Sequence, residues 1–327
     1  MNFGTIGTSW ITAAFIEAAQ DVTDMRLTAV YSRSEQKAKQ FAETHGACNV
    51  FTDIEEMAES EQIDCVYIAS PNALHYEQAL TFLNHNKHVI CEKPIFSNIT
   101  ELEKAYQIAE KNGVFLVEAM RNVHMPNLLV LKERIEKAGQ LRNVVLNYAK
   151  YSSRYDAVLN GEEPNIFSLH YSGGALVDLG VYPIAIAIFL FGKPERITYA
   201  PVLIRTGVDG SGTLVLNYSD FTCTIFCSKI STSYNPSEIQ GEQGTFTIDD
   251  IGTVANIAFI DIHSGHKERI ASKHEEKDMF YEIEHFVQMI KTNNQAEYKR
   301  LKQLSCDILT ITEAARKENK IVYKNKQ

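Results

Sequence analysis

Asn2-Phe3-Gly4-Thr5-Ile6-Gly7-Thr8-Ser9-Trp10-Ile11-Thr12-Ala13-Ala14-Phe15-Ile16-Glu17-Ala18-Ala19 opens the chain. Residues 2–6 predict a strand, 7–12 a glycine-containing turn and 13–19 a helix of good helix formers. That layout sets a dinucleotide pyrophosphate at a helix N-terminus, where free N–H groups and the helix dipole favour an anion. Gly7 holds the first position of G-x-G-x-x-G/A, Ser9 the second and Thr12 the third. The second glycine lets the backbone approach the phosphates, and Ser is the next smallest choice, with a hydroxyl able to donate. Thr12 is bulkier where helix and strand pack. A tight turn with no ligand would use the same residues, so the motif needs support from the rest of the chain. Its candidate ligands are Gly7, Thr8, Ser9, Trp10 and Ile11.

The second strand reads Leu27–Tyr31 and is followed by Ser32-Arg33-Ser34. A cofactor with a free ribose 2′-hydroxyl wants Asp or Glu near this strand's end. None stands there. Ser32 and Arg33 do, and Arg suits a 2′-phosphate through charge-assisted hydrogen bonds. An exposed Arg ahead of the helix Ser34–His45 is the plainer alternative. The missing acid and the present base point the same way, so NADP is the expected cofactor and NAD the alternative.

Strands and helices then alternate. A short strand at Val50-Phe51 precedes a small helix, Ile54–Glu59. The strand Cys65–Ala69, helix Ala73–Asn84, strand His88–Cys91, helix Thr100–Lys111 and strand Val114–Val117 follow. This rhythm predicts an α/β fold with a doubly wound parallel sheet. Such sheets bind ligands outside the carboxyl ends of their strands. Val89-Ile90-Cys91 runs at such an end into Glu92-Lys93-Pro94. Pro94 fixes its own φ and steers Lys93 towards an extended backbone. A Lys held there can polarise a substrate oxygen or share its proton. An ordinary surface Glu-Lys pair before a turn is the alternative. Ser70-Pro71-Asn72 ends another strand and lines the same edge. His75 lies one turn into the next helix and faces either cofactor or solvent. His88 opens a strand and reads as structural.

Beyond about residue 140 the pattern changes. Asn143–Tyr151, Arg196–Arg205, Gly212–Tyr218, Thr222–Ser228, Gly244–Asp249 and Val254–Ile260 read as strands, several alternating apolar and polar. They predict an α+β domain with an open, mostly antiparallel sheet, one face solvated or partnered. Helices at Lys277–Lys291 and Arg300–Asn319 close the chain and are placed to pack back on the first domain. The expected domains are 1–120, binding the dinucleotide, and 121–327, binding substrate and mediating self-association. Within the second lies Ser172-Gly173-Gly174-Ala175-Leu176-Val177-Asp178-Leu179-Gly180-Val181-Tyr182-Pro183. On a helix Asp178 and Tyr182 share a face. An Asp in an apolar segment needs a partner or a job. Tyr182 near an ammonium would serve as proton donor or acceptor. A helix cap with a core tyrosine is the alternative.

Composition bounds the partners. The 327 residues are comfortable for two domains, and 45% hydrophobic content supplies large cores. A net charge of −9 argues against nucleic acid or an anionic membrane. No apolar run is expected to reach the length of a membrane span. The N-terminal residues form a strand rather than a basic leader, so a cytoplasmic protein is expected. Cys48, Cys65, Cys91, Cys223, Cys227 and Cys306 are scattered and form no C-x-x-C pair. Buried free thiols fit better than a bridge between Cys223 and Cys227, which share a strand parity. No metal site is expected. Asn98-Ile99-Thr100 matches a glycosylation acceptor, which means little without secretion.

Together these segments resemble the glucose–fructose oxidoreductase/inositol dehydrogenase (Gfo/Idh/MocA) family over essentially the whole chain. The carriers are Gly4–Thr8, Ser70-Pro71-Asn72 with His75, His88–Pro94, Glu118-Ala119-Met120-Arg121 and Gly173–Tyr182. The resemblance implies a Rossmann domain, a catalytic Lys93 and an Asp178 that binds substrate or assists proton transfer. Tyr182, where many sugar and inositol members carry His, is similar to the dihydrodiol and xylose dehydrogenase branch. The resemblance also implies a homodimer or dimer of dimers built on the C-terminal sheet. Glu92 and Arg121 join the expected cofactor-binding residues. The expected activity is hydride transfer between nicotinamide and a small polyol, sugar or dihydrodiol. A non-catalytic NADP-binding sensor with the same fold is the rival. A short-chain dehydrogenase would need Tyr-x-x-x-Lys, and Tyr298–Lys302 has that spacing but lies in the tail.

Overall fold

Six short, largely apolar runs of the first 119 residues become the strands of one parallel sheet. They are β1 (Asn2–Ile6), β2 (Arg26–Tyr31), β3 (Asn49–Phe51), β4 (Cys65–Ile68), β5 (His88–Glu92) and β6 (Leu116–Ala119). Between them run α1 (Trp10–Ala19), α2 (Glu35–His45), α3 (Ile54–Glu59), α4 (His75–Asn84) and α5 (Ile99–Lys111). The sheet order is β3-β2-β1-β4-β5-β6. Chain order reverses between β1 and β4, the point at which doubly wound sheets bind their ligands. Helices on both faces explain why the middles of β4 and β5 are apolar: Val66, Ile68, Val89 and Ile90 are fully buried. Phe15 of α1 stacks on Tyr67 of β4 at 3.7 Å. Such pairs add about 0.5–1.5 kcal/mol beyond their buried area. Short polar side chains start the helices by accepting free N–H groups, as Asp53 does from Glu55 and Glu56 and Asn98 from Glu101.

A computed structural model describes residues 1–270 and 276–324. It divides into two units, Met1–Ala119 with Glu275–Cys306 and Met120–His274 with Asp307–Gln327. The second contains α6 (Pro126–Arg134), α7 (Arg154–Leu159), α8 (Val181–Phe191) and β7 (Leu141–Ala149). Its further strands are β8 (Arg196–Leu203), β9 (Asp209–Asn217), β10 (Thr222–Ser228), β11 (Ser237–Gly241), β12 (Gly244–Ile248), β13 (Ile257–Asp261) and β14 (Lys267–Arg269). Among the described residues these eight strands form one sheet, ordered β14-β13-β12-β11-β7-β10-β9-β8. Neighbours are antiparallel except β7 and β10, which run parallel. The expected mostly antiparallel sheet is therefore present. β11 (Ser-Glu-Ile-Gln-Gly) and β14 (Lys-Glu-Arg) lie outside the expected strands, because their polar sequences carry no period-two apolar signal and pairing alone recruits them.

Leu169–Phe191 corrects one expectation: by length and hydropathy this run does suffice for a membrane span. Its most apolar window is 83% buried within the second unit, which is the place of a core helix. Cys223 and Cys227 are buried on one face of β10 and are free thiols, as are the other four cysteines. Two further helices, α9 (Phe280–Lys291) and α10 (Gln295–Glu318), follow. Against the first unit, α9 packs on α1, flanked by Lys277–Asp21 and Lys291–Asp24 ion pairs. Tyr298 of α10 stacks edge-on against Phe115 at 4.8 Å. Tyr298 thereby serves the core, where a catalytic Tyr-x-x-x-Lys pair has no place.

Candidate active site

The carboxyl edge of the parallel sheet gathers most of the residues singled out from sequence. Gly7 follows β1 with φ +109°, a left-handed conformation that favours glycine. A Cβ there would lie 2.7 Å from the Ala69 carbonyl oxygen, so only bare backbone passes between β1 and β4. Ser9 is the N-cap of α1 but makes no side-chain cap, and the first turn carries no acid. The N-terminal amides of this ten-residue helix are thus offered to an anion, as a pyrophosphate cradle requires. Thr12, in the third glycine position, is fully buried with its hydroxyl 3.4 Å from that of Ser9. Thr8 and Ile11 are half-buried, and Trp10 is 72% exposed beside the turn. The chain is therefore fitted to hold a dinucleotide despite its departures from three glycines.

At the end of β2, Arg33 is exposed and the Ser32 hydroxyl accepts from the Ser34 N–H. No carboxylate is among Ser32, Arg33 and Ser34, so this end of the strand suits added negative charge. Beyond β4, the Ser70 hydroxyl donates to Gln78, Pro71 is extended, and Asn72 opens a 3-10 turn. His75 does not face solvent. Its Nε2 lies 2.8 Å from the Ser70 carbonyl oxygen and its Nδ1 3.1 Å from that of Pro94. The ring ties together the segments following β4 and β5. Burial is the first cause that holds its pKa below the usual histidine value, against its carbonyl partners.

Lys93 follows β5 at half-buried depth, and its peptide to Pro94 is cis. Glu92 before it is buried, accepting from the Tyr67 hydroxyl at 2.6 Å and from the Lys93 N–H at 3.2 Å. Tyr67 is itself clamped by Phe15, so the base of Lys93 rests on a rigid core. Glu118, at the end of β6, accepts from the Ile95 N–H at 3.0 Å and secures the other side of the loop. Burial pushes its carboxyl up to about 7, opposed by the Ser305 hydroxyl and the Ile95 amide. Glu118 was not among the expected site residues, although a lone acid in the apolar run Leu116–Ala119 was its visible signal.

In the second unit, Gly173 and Gly174 precede a π-helical turn, Leu176–Gly180, that leads into α8. Gly174 has φ +134°, and a Cβ there would sit 2.2 Å from Asp209 Oδ1. That closeness lets Asp209 accept from the Leu176 N–H and the Tyr199 hydroxyl, both at 2.7 Å. Burial raises the Asp209 carboxyl to about 6, against those two donors. π-turns recur at functional sites, and this one carries Asp178. Asp178 pairs with Lys229, whose ammonium donates to Oδ2. Tyr182 is buried, its ring edge-on to Tyr148 at 5.4 Å. The Arg121 guanidinium lies 5.6 Å from the same ring, so Arg121 stands with Tyr182. Lys229 was missed from sequence, for it belongs to no motif and lies 51 residues from Asp178.

A family signature described as "Oxidoreductase family, NAD-binding Rossmann fold" matches residues 1–120, and one described as "GFO/IDH/MocA C-terminal domain" matches residues 129–247. The chain is 46% identical over 323 residues to the scyllo-inositol 2-dehydrogenase (NADP(+)) IolU of Bacillus subtilis (strain 168), covering 99% of this chain and 98% of that one. It is 31% identical over 230 residues to trans-1,2-dihydrobenzene-1,2-diol dehydrogenase of Danio rerio, covering 68% and 66%. In fold it is similar to KijD10, a 3-ketoreductase from Actinomadura kijaniata crystallised with NADP and TDP-benzene. That match has a TM-score of 0.87 at 20% identity and covers 97% of each chain.

Proposed function

The chain belongs to the Gfo/Idh/MocA oxidoreductase family, and from that premise we propose an NADP-preferring enzyme of a small polyol. Cyclic polyols such as inositols come first, with sugars and dihydrodiols as the wider class. The observation that carries the reading is the line of residues along one sheet edge: the Gly7 cradle, Arg33 without a competing acid, and the braced Lys93. The 46% identity to an NADP(+)-dependent inositol dehydrogenase supports it.

Residues 1–120 hold the cofactor through Gly7–Ile11, Ser32, Arg33, Ser70–Asn72 and Lys93. His75 and Glu92 act behind them, fixing the loops. When bound, a nicotinamide nucleotide supplies hydride transfer at the carbinol carbon. Lys93 polarises the reacting oxygen, Tyr182 takes or gives its proton, and Asp178 orients a neighbouring hydroxyl. Arg121 lies 5.6 Å from the Tyr182 ring and holds that ring in place beside its charge. The free thiols suit a reducing cytoplasm, and the charge of −9 suits neither nucleic acid nor an anionic membrane.

The test is oxidation of scyllo-inositol with NADP+, followed as NADPH formation. Lys93→Met should lower kcat by roughly 10²–10⁴-fold with NADPH binding retained, because its charge acts in the transition state. Tyr182→Phe should also keep fold and cofactor but lose most turnover. Near-normal turnover in Tyr182→Phe removes the proton-transfer role. Tight NADPH binding with no turnover of polyols, sugars or dihydrodiols leaves a cofactor-binding sensor instead.

A further inference from the structure

Lys229 is a charged residue that the roles above leave unused. It follows β10, is only 5% exposed, and its ammonium reaches Asp178 Oδ2 while lying 5.8 Å from the Phe167 ring centre. Its backbone is fixed on both sides, the N–H donating to Gly210 O and the carbonyl accepting from Ser152 N–H, each at 2.9 Å. A buried ammonium is retained only where a counter-charge compensates it. The two side chains are unequally open: that of Lys229 is 6% exposed and that of Asp178 25%. The lysine thus backs the pair and the carboxylate presents its edge outward.

We propose that Lys229 is a positioning residue that fixes Asp178 as an ionised, acceptor-only carboxylate, which reads a hydroxyl next to the reacting carbinol. The proposal rests on the polyol reading above and narrows it to vicinal diols. A carboxylate accepts from O–H and donates to nothing. An alcohol lacking the second hydroxyl forgoes the hydrogen bond to that carboxylate, and sites built for a hydroxyl reject such analogues strongly. The Lys229 charge also balances Asp178, so a neutral diol is matched better than an acid.

The experiment compares kcat/KM for trans-cyclohexane-1,2-diol and cyclohexanol with NADP+, in the unaltered protein, Lys229→Met and Lys229→Arg. The unaltered protein should prefer the diol by roughly 10²-fold or more. Lys229→Met should lose most of that preference, mainly through the diol's KM, and Lys229→Arg should keep much of it. The acid limb of the pH profile should move up in Lys229→Met, because Asp178 loses the charge that favours its ionised form. Adding Lys229→Met to Asp178→Asn should change little. Parallel loss on both alcohols with an unmoved pH limb would show a merely structural lysine and overturn the proposal. Equal use of both alcohols by the unaltered protein overturns it as well. Absence of turnover on scyllo-inositol and on both alcohols, with NADPH still bound, refutes the polyol reading and the diol reading with it.

Discussion

Arg33 shows what one residue decides. It is exposed at the end of β2 and packs little, and the role proposed for it is in binding a ligand. A charge-assisted contact to a 2′-phosphate is worth about 1.5–3 kcal/mol, roughly tenfold to a hundredfold in affinity. Arg33→Ala should therefore weaken NADPH much more than NADH in parallel fluorescence titrations. Equal curves for the two cofactors in the unaltered protein would end the assignment. The Arg33 expectation can be drawn from sequence because exposure leaves a side chain's chemistry to its own charge and strand position. His75 was not, since its two carbonyl partners are separated from it in sequence and only the closed sheet supplies them.

At the scale of elements, the ends of β5 and β6 are locked together by Glu118, which accepts from the Ile95 amide two residues beyond Lys93. Glu92, Lys93 and Cys91 of the β5 end, Tyr106 of α5 and Ser305 of α10 surround that carboxyl. Its pKa rises from 4.5 unfolded to about 7 folded. Below 4.5 both states hold the proton and no penalty exists. Between 4.5 and 7 only the folded state keeps it. Stability contributed by Glu118 is therefore lost as pH rises to about 7, by about 3 kcal/mol at most. Thermal midpoints from pH 5 to 8 should fall less with pH in Glu118→Gln than in the unaltered protein. Identical slopes would place the carboxyl's titration elsewhere. The strands themselves were legible from period and composition. β11 and β14 were not, because neighbours rather than apolar residues recruit them.

For the whole molecule the open question is assembly. In the second unit's sheet, Val144, Leu146, Leu214, Leu216, Cys223 and Ile225 are buried on the face against which α8 packs. Val145, Thr213, Val215, Thr224 and Phe226 point to the other face and are only half-buried. A face carrying Val and Phe among threonines gains by being covered, and pairing two such faces is the simplest cover. The expected outcome is a dimer mass by light scattering at micromolar protein, reduced to a monomer by Val215→Arg. A monomer mass for the unaltered chain contradicts it. What the sequence determined by itself was everything local: the βα alternation, which residues follow each strand end, and the small residues where backbone must pass closely. Those follow from backbone period and φ preferences, which act over a few residues. The tertiary structure alone decided that Lys229 backs Asp178, that Asp209 caps the π-turn and that Glu118 holds the Lys93 loop. Each joins groups distant along the chain, a proximity that no local pattern reports.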